Sequence, residues 1–142
     1  MSYNFPLASG GLQSYIRRTD GNAINGGVVN YATANESAGT DITYVPDAGL
    51  GDSFLINVSG IYAASSAAIH TNAATEHEIK VSVGPYVAGP GDAATRNQQV
   101  SSGAVRATQV AWAGFVNAGE SIWVFLNDTP VANTNGNQVT IA

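Results

Sequence analysis

Ser53-Phe54-Leu55-Ile56-Asn57-Val58-Ser59-Gly60-Ile61-Tyr62 reads as a strand, a break and a second strand. Phe54, Ile56 and Val58 fall on one side of an extended chain, because successive side chains of a strand point to opposite faces. Ser59-Gly60 interrupts the run, and Ile61 to His70 resumes it.

The same grammar extends in both directions. Upstream, Val28-Val29-Asn30-Tyr31 is followed by the turn-rich stretch Asn35 to Thr40, and Asp41 to Val45 is stopped by Pro46-Asp47-Ala48-Gly49. Downstream, Glu78 to Val83 alternates, with Ile79, Val81 and Val83 facing in and Glu78, Lys80 and Ser82 facing out. Gly84-Pro85 ends that run, and Gly89-Pro90-Gly91-Asp92 forms a loop. Val105 to Val116, the tight turn Asn117-Ala118-Gly119-Glu120, Ser121 to Asn127 and finally Gln138 to Ile141 complete the pattern. About eight short strands at this spacing, with turn signals between them and no amphipathic helix, predict an all-β fold, a sandwich or barrel. The absence of an internal repeat argues against propellers and solenoids. Residues 28–142 are expected to form one domain. Residues 1–27, punctuated by Pro6, Gly10-Gly11, Gly21 and Gly26-Gly27, are expected to form an extended N-terminal arm with at most a short strand at Leu12 to Ile16.

Two strands are apolar on both faces. In Ser121 to Asn127, Ile122, Val124 and Leu126 oppose Trp123 and Phe125. In Val105 to Val116, Ala107, Ala111, Ala113 and Phe115 oppose Val110, Trp112 and Val116. A sandwich strand of a monomer keeps one face wet, so something must cover the second face. A loop or the arm is one cover. A subunit interface rich in aromatics is the favoured one. Val110, Trp112, Phe115, Trp123 and Phe125 are therefore the candidate interface residues.

Composition narrows the function. Of 142 residues 11% are charged, against about 25% in an average soluble domain. The five cations, Arg17, Arg18, Lys80, Arg96 and Arg106, are dispersed, which argues against a nucleic-acid surface and against a polybasic membrane patch. The chain has no cysteine, so it has neither a disulfide framework nor a thiol nucleophile. Met1 to Pro6 shows no positive n-region or apolar h-region, and the expectation is synthesis in a cytoplasm without an export signal.

Several of these segments, in this order, resemble the jelly-roll family of tumour necrosis factor and the globular heads of the first complement component. Phe54 to Tyr62 is similar to that family's strand, Gly-containing turn and Gly-Ile/Val-Tyr strand. Ile79 to Gly84 looks like its apolar strand before a loop, Asn117 to Val124 like its Gly-Asp turn and strand, and Gln138 to Ile141 stands where its closing strand should be. The chain departs from the family pattern at Glu120 in place of Asp, at Ala64 in place of Phe, and in a closing strand without Phe-x-Gly. The resemblance implies an antiparallel jelly-roll sandwich and a homotrimer packed through an apolar sheet face. It also implies a setting like that of small phage jelly-roll trimers, which occur as capsid cement and as fibre tips.

Chemistry is weakly represented. His70 and His77 are the only histidines, and no Gly-x-Ser-x-Gly elbow surrounds a serine. The acidic residues are scattered, with no pair set in apolar surroundings. His70, Glu76, His77 and Glu78 form the only mixed metal-type cluster, and a polar loop explains them better than zinc. Asp47 to Asp52 and Asn127 to Asn137 are oxygen-rich, but neither follows the calcium-loop pattern, and such residues in turns usually bond the backbone. No cofactor is expected.

The sequence thus predicts a non-enzymatic virion protein that decorates or cements a capsid. Its partners would be its own copies and a major capsid protein, contacted by arm residues Phe5, Leu7, Leu12, Tyr15, Arg17 and Arg18. The alternative is a receptor- or carbohydrate-binding fibre tip that takes a host glycan in the loops Asn72 to His77, Pro85 to Arg96 and Thr129 to Asn137, with Tyr86 as its aromatic platform.

Overall fold

The computed structural model describes residues 14–23, 28–70, 77–86, 94–101, 106–127 and 138–142. They form ten strands: β1 Tyr15–Ala23, β2 Val29–Ala38, β3 Ile42–Val45, β4 Ser53–Ile56, β5 Gly60–His70, β6 His77–Gly84, β7 Thr95–Ser101, β8 Arg106–Val116, β9 Ser121–Leu126 and β10 Gln138–Ile141. Two five-stranded antiparallel sheets stack face to face, in the orders β2-β1-β10-β5-β8 and β3-β4-β9-β6-β7. From β4 onward the chain crosses repeatedly between sheets, which makes the sandwich a jelly roll. β5 and β8 pair along their whole length, from Gly60↔Val116 to His70↔Arg106.

The inner faces interdigitate. Phe54, Ile56, Ile79, Val81, Val83, Ile122, Val124 and Leu126 from the second sheet meet Ile16, Val29, Tyr31, Tyr62, Val110, Val116, Val139 and Ile141 from the first. These are the alternating positions of the sequence, and the face each residue takes follows from its parity along the strand. Burying one such side chain contributes about 1.5–3 kcal/mol. The turn before β9 also forms. Gly119 has φ of 91°, Glu120 Oε2 accepts from Asn117 N at 2.9 Å, and Ala118 N donates to Ser59 Oγ at 2.8 Å.

Two strands lie beyond the eight expected. β7 (Thr-Arg-Asn-Gln-Gln-Val-Ser) is polar because it is an edge strand paired to β6 alone, so it has no buried alternation to read. β1 occupies Tyr15–Ala23, within the stretch assigned to an extended arm. It is an interior strand, paired with β10 from Ile16↔Ile141 to Thr19↔Gln138 and with β2 from Tyr15↔Ala38 to Ala23↔Val29. The backbone ladder places it there, although Arg17, Arg18, Thr19 and Asp20 look like surface residues. β2 likewise runs on to Ala38, through residues read as a turn, with a register shift opposite Arg17/Arg18. Residues 1–13 and 24–27 of the expected arm, including Phe5, Leu7 and Leu12, lie outside the described residues.

Two substitutions test this packing. Ile141→Ala should cost about 2–5 kcal/mol of unfolding free energy in urea, as large-to-small changes in a closed core do. Gly51 has φ of 99°, and a methyl group there would overlap the Val28 side chain. Gly51→Ala should therefore destabilise by more than about 1 kcal/mol, where the same change on a compatible backbone stabilises.

Candidate functional site

A sandwich has two outer faces, and they differ here. On the second sheet, all six residues of β9 are buried. Trp123 is covered from within the chain: the Tyr86 ring meets it edge-on at 5.3 Å, and the Tyr86 hydroxyl donates toward the Gly51 carbonyl at 2.6 Å. Phe125 lies under the Lys80 ammonium, 5.4 Å from the ring centroid, and Lys80 pairs with Glu78 at 3.2 Å. Val28 bridges to Phe125 along the edge of β9. Trp123 and Phe125 are therefore not interface residues. The two-sided pattern of their strand is met by in-chain cover. Tyr86 is half-buried in this contact, and residues 72–76, 87–93 and 129–137 of the loops expected to take a glycan lie outside the described residues.

On the first sheet the outer face is open. Val110, like Val116, faces the core, so it too leaves the interface set. Trp112 is half-buried on the core side, its ring lying over Gly114. Phe115 alone of the five candidates stands fully outward, 60% exposed. Its cross-strand partner is Ile61, 74% exposed, a residue the sequence reading did not select. From this pair a ladder of small side chains continues along the same face, through Ala113↔Ala63 and Ala111↔Ser65↔Thr140 to Gln109↔Ala67↔Gln138. Shallow grooves of about 310 and 390 Å³ run along it. Arg17 of β1 ends the row, Nη2 donating to Gln138 Oε1 at 3.2 Å. The result is a flat face, apolar at the Ile61/Phe115 end and lightly polar at the Gln138 end. Ala, Ser and Thr carry little hydropathy signal, which is why the sequence did not reveal it.

Of the arm residues, Tyr15 and Arg17 lie on β1 on this side of the sheet. Arg18 turns inward, with its guanidinium carbon 3.7 Å from the Tyr44 ring centroid and Nη2 donating to Tyr31 O at 3.2 Å. Below it a polar cluster pins β2, β3 and the loop between β3 and β4. Asp52, 3% exposed, accepts from Tyr31 N at 2.7 Å, from Asp47 N at 3.0 Å and from the Tyr44 hydroxyl. Asp47 Oδ1 in turn accepts from Gly49 N and Leu50 N, both at 2.9 Å. The carboxylates of the stretch 47–52 thus serve the backbone, and Asn127 Oδ1 does the same for Glu78 N at 2.8 Å. Among the described residues no group of three or more His, Asp or Glu is placed to hold a metal.

No protein-family model matches the chain, and no curated protein sequence matches it. Solved structures do. Murine APRIL at pH 8.0 superposes with a TM-score of 0.70 at 13% identity, covering 90% of this chain and 96% of the other. The same protein at pH 5.0 gives 0.68 at 14% identity over the same shares. Eiger TNF from S. frugiperda gives 0.56 at 11% identity, covering 91% of this chain and 92% of the other. The fold is therefore a jelly roll of the tumour necrosis factor type, as the sequence resemblance implied.

The tyrosine cluster sets a pH limit. Burial, reinforced by the hydrogen bond to Asp52, pushes Tyr44 from 10.0 up to about 12, and burial raises Tyr31 as well. Both phenols favour the neutral form in the fold. The Tyr44 contribution is complete below pH 10 and is lost as pH rises toward about 12, and Tyr31 acts in the same direction. Urea titrations across that window should show stability falling with pH, and Tyr44→Phe should flatten the fall. An equally steep profile in the variant would remove Tyr44 from this role.

Proposed function

We propose that this protein is a non-enzymatic structural module that works as a homotrimer, its copies packed through the outer face of β10, β5 and β8. The observation that supports it is the exposed Ile61/Phe115 pair, continuous with a flat ladder of Ala, Ser and Thr. Burying those two side chains contributes about 1.5–3 kcal/mol each. Association costs about 4–15 kcal/mol in lost freedom, so the pair anchors the contact and the small-residue ladder supplies the remaining area. A stable contact needs about 800 Å² per partner, and small side chains let a neighbouring sheet edge approach that closely. Threefold order comes from the resemblance to the tumour necrosis factor jelly rolls.

The role we assign to the trimer is decoration and cementing of a phage capsid, with the major capsid protein as partner and the virion as its location. The low charge and the neutral Asn/Ser/Thr/Gly surface suit a part held in a packed assembly. The mechanism is mechanical: each trimer spans neighbouring capsid subunits and holds them together.

Sedimentation velocity tests the self-association. The wild type should run as a trimer at micromolar concentration. Phe115→Asp combined with Ile61→Asp should run as a monomer with an unchanged circular dichroism spectrum. A monomeric wild type, or a trimeric double variant, would refute the assignment of this face. Mixing the trimer with undecorated capsids tests the role. Saturable binding at a fixed ratio, with a raised temperature of capsid disruption, is the expected result, and absence of binding counts against the cement reading.

A further inference from the structure

The sandwich is closed along one side and open along the other. On the closed side, Asn97 Nδ2 of β7 donates to Ala111 O of β8 at 2.6 Å, tying the two edge strands together. On the other side, between β1/β2 and the edge strand β3, a cleft of about 420 Å³ opens. Its floor is Ile16 and Ile42, both 6% exposed. Its walls carry Arg18, Tyr44, Glu36, Ser37, Thr40 and Thr43, and Thr43 Oγ1 accepts from Asn57 Nδ2 at 2.8 Å. It lies apart from the sheet face assigned to self-association.

Arg18 is the unusual member. A guanidinium has five N–H donors in a planar fork. Here Nη2 bonds one carbonyl, the plane is stacked on Tyr44, and Nε is buried without a partner. Among the described residues no carboxylate lies within ion-pair distance of it, and the carboxylate nearest in the network, Asp52, is taken up by two backbone N–H groups and the Tyr44 hydroxyl. A partly desolvated cation with no carboxylate partner among the described residues is costly to hold, and a carboxylate arriving in the cleft would meet the Nη N–H groups that the Tyr31 carbonyl leaves free. Stacking on Tyr44 orients the fork before any ligand arrives, so little side-chain entropy remains to be lost on binding.

We propose that this cleft binds a carboxylate-bearing sugar, one acidic monosaccharide unit, with its carboxylate on Arg18, its hydroxyls on Ser37 and Thr43, and the C–H face of its ring on Ile16 and Ile42. The volume lies within the range of about 300–1,000 Å³ for small-ligand pockets, toward its lower end. An apolar floor bordered by hydroxyl-bearing residues suits a polyhydroxylated ring better than a flat apolar ligand. Glu36, on the same rim, opposes the ligand's charge and keeps the affinity modest.

Saturation-transfer NMR on the full chain tests the proposal, with glucuronic acid and N-acetylneuraminic acid as probes, glucose as the neutral sugar and succinate as the non-sugar carboxylate. The expected result is transfer to at least one acidic sugar and not to glucose or succinate. Arg18→Lys, which keeps the charge and loses the fork, should weaken binding about tenfold. Glu36→Gln should strengthen it several-fold. Thermal melts of both variants confirm the fold. Equal binding of glucose removes the role of the carboxylate, and equal binding of succinate removes the sugar. Binding unchanged in both variants, or no transfer from either acidic sugar, overturns the site. None of these outcomes bears on the trimer, which sedimentation reads separately.

Discussion

Everything in this molecule depends on one packing constraint: two antiparallel sheets must bury one face each against the other, and every strand then has an outer face to account for. Phe54, Ile56, Ile122 and Val124 against Tyr62, Val139 and Ile141 satisfy the first half. The second half is met differently on the two sheets. The second sheet covers Trp123 with Tyr86 and Phe125 with Lys80, inside one chain. The first leaves Ile61 and Phe115 open. That asymmetry makes one face structural and the other available for a partner.

The fold was legible where parity was strict. Ile79/Val81/Val83 and Ile122/Val124/Leu126 alternate, and their faces can be assigned without coordinates. The Ser59-Gly60 and Asn117–Glu120 turns could be read because Gly and Asn mark them. β1 and β7 could not. One is an interior strand held by its backbone ladder despite charged side chains, and the other is an edge strand with a polar sequence.

The outer surfaces were legible only in part. Apolar side chains on both faces of a strand signal that something covers the second face, but the signal is identical for cover by a loop and cover by another copy. Trp123 and Phe125 carried the stronger hydrophobic signal and are covered in the chain. Phe115, joined by Ile61 and a row of alanines, forms the open face with a weaker one. The Asp52 cluster was hidden for another reason. Tyr31, Tyr44 and Asp47 come together on Asp52 only because β2, β3 and the loop between β3 and β4 converge, a juxtaposition that no local spacing records.

The central claim, that the outer face of β5 and β8 is covered by another copy, can be tested by thiol chemistry, since the natural chain has no cysteine to interfere. A single cysteine at Ala113, on that face, is compared with one at Ala48, exposed in the loop between β3 and β4. Reaction with an aromatic disulfide reagent is followed over a range of protein concentrations. The account predicts that the thiol of Ala113→Cys is protected at high concentration and freed on dilution, while that of Ala48→Cys reacts fast throughout. A thiol at position 113 that reacts as fast as one at position 48 at every concentration would contradict it.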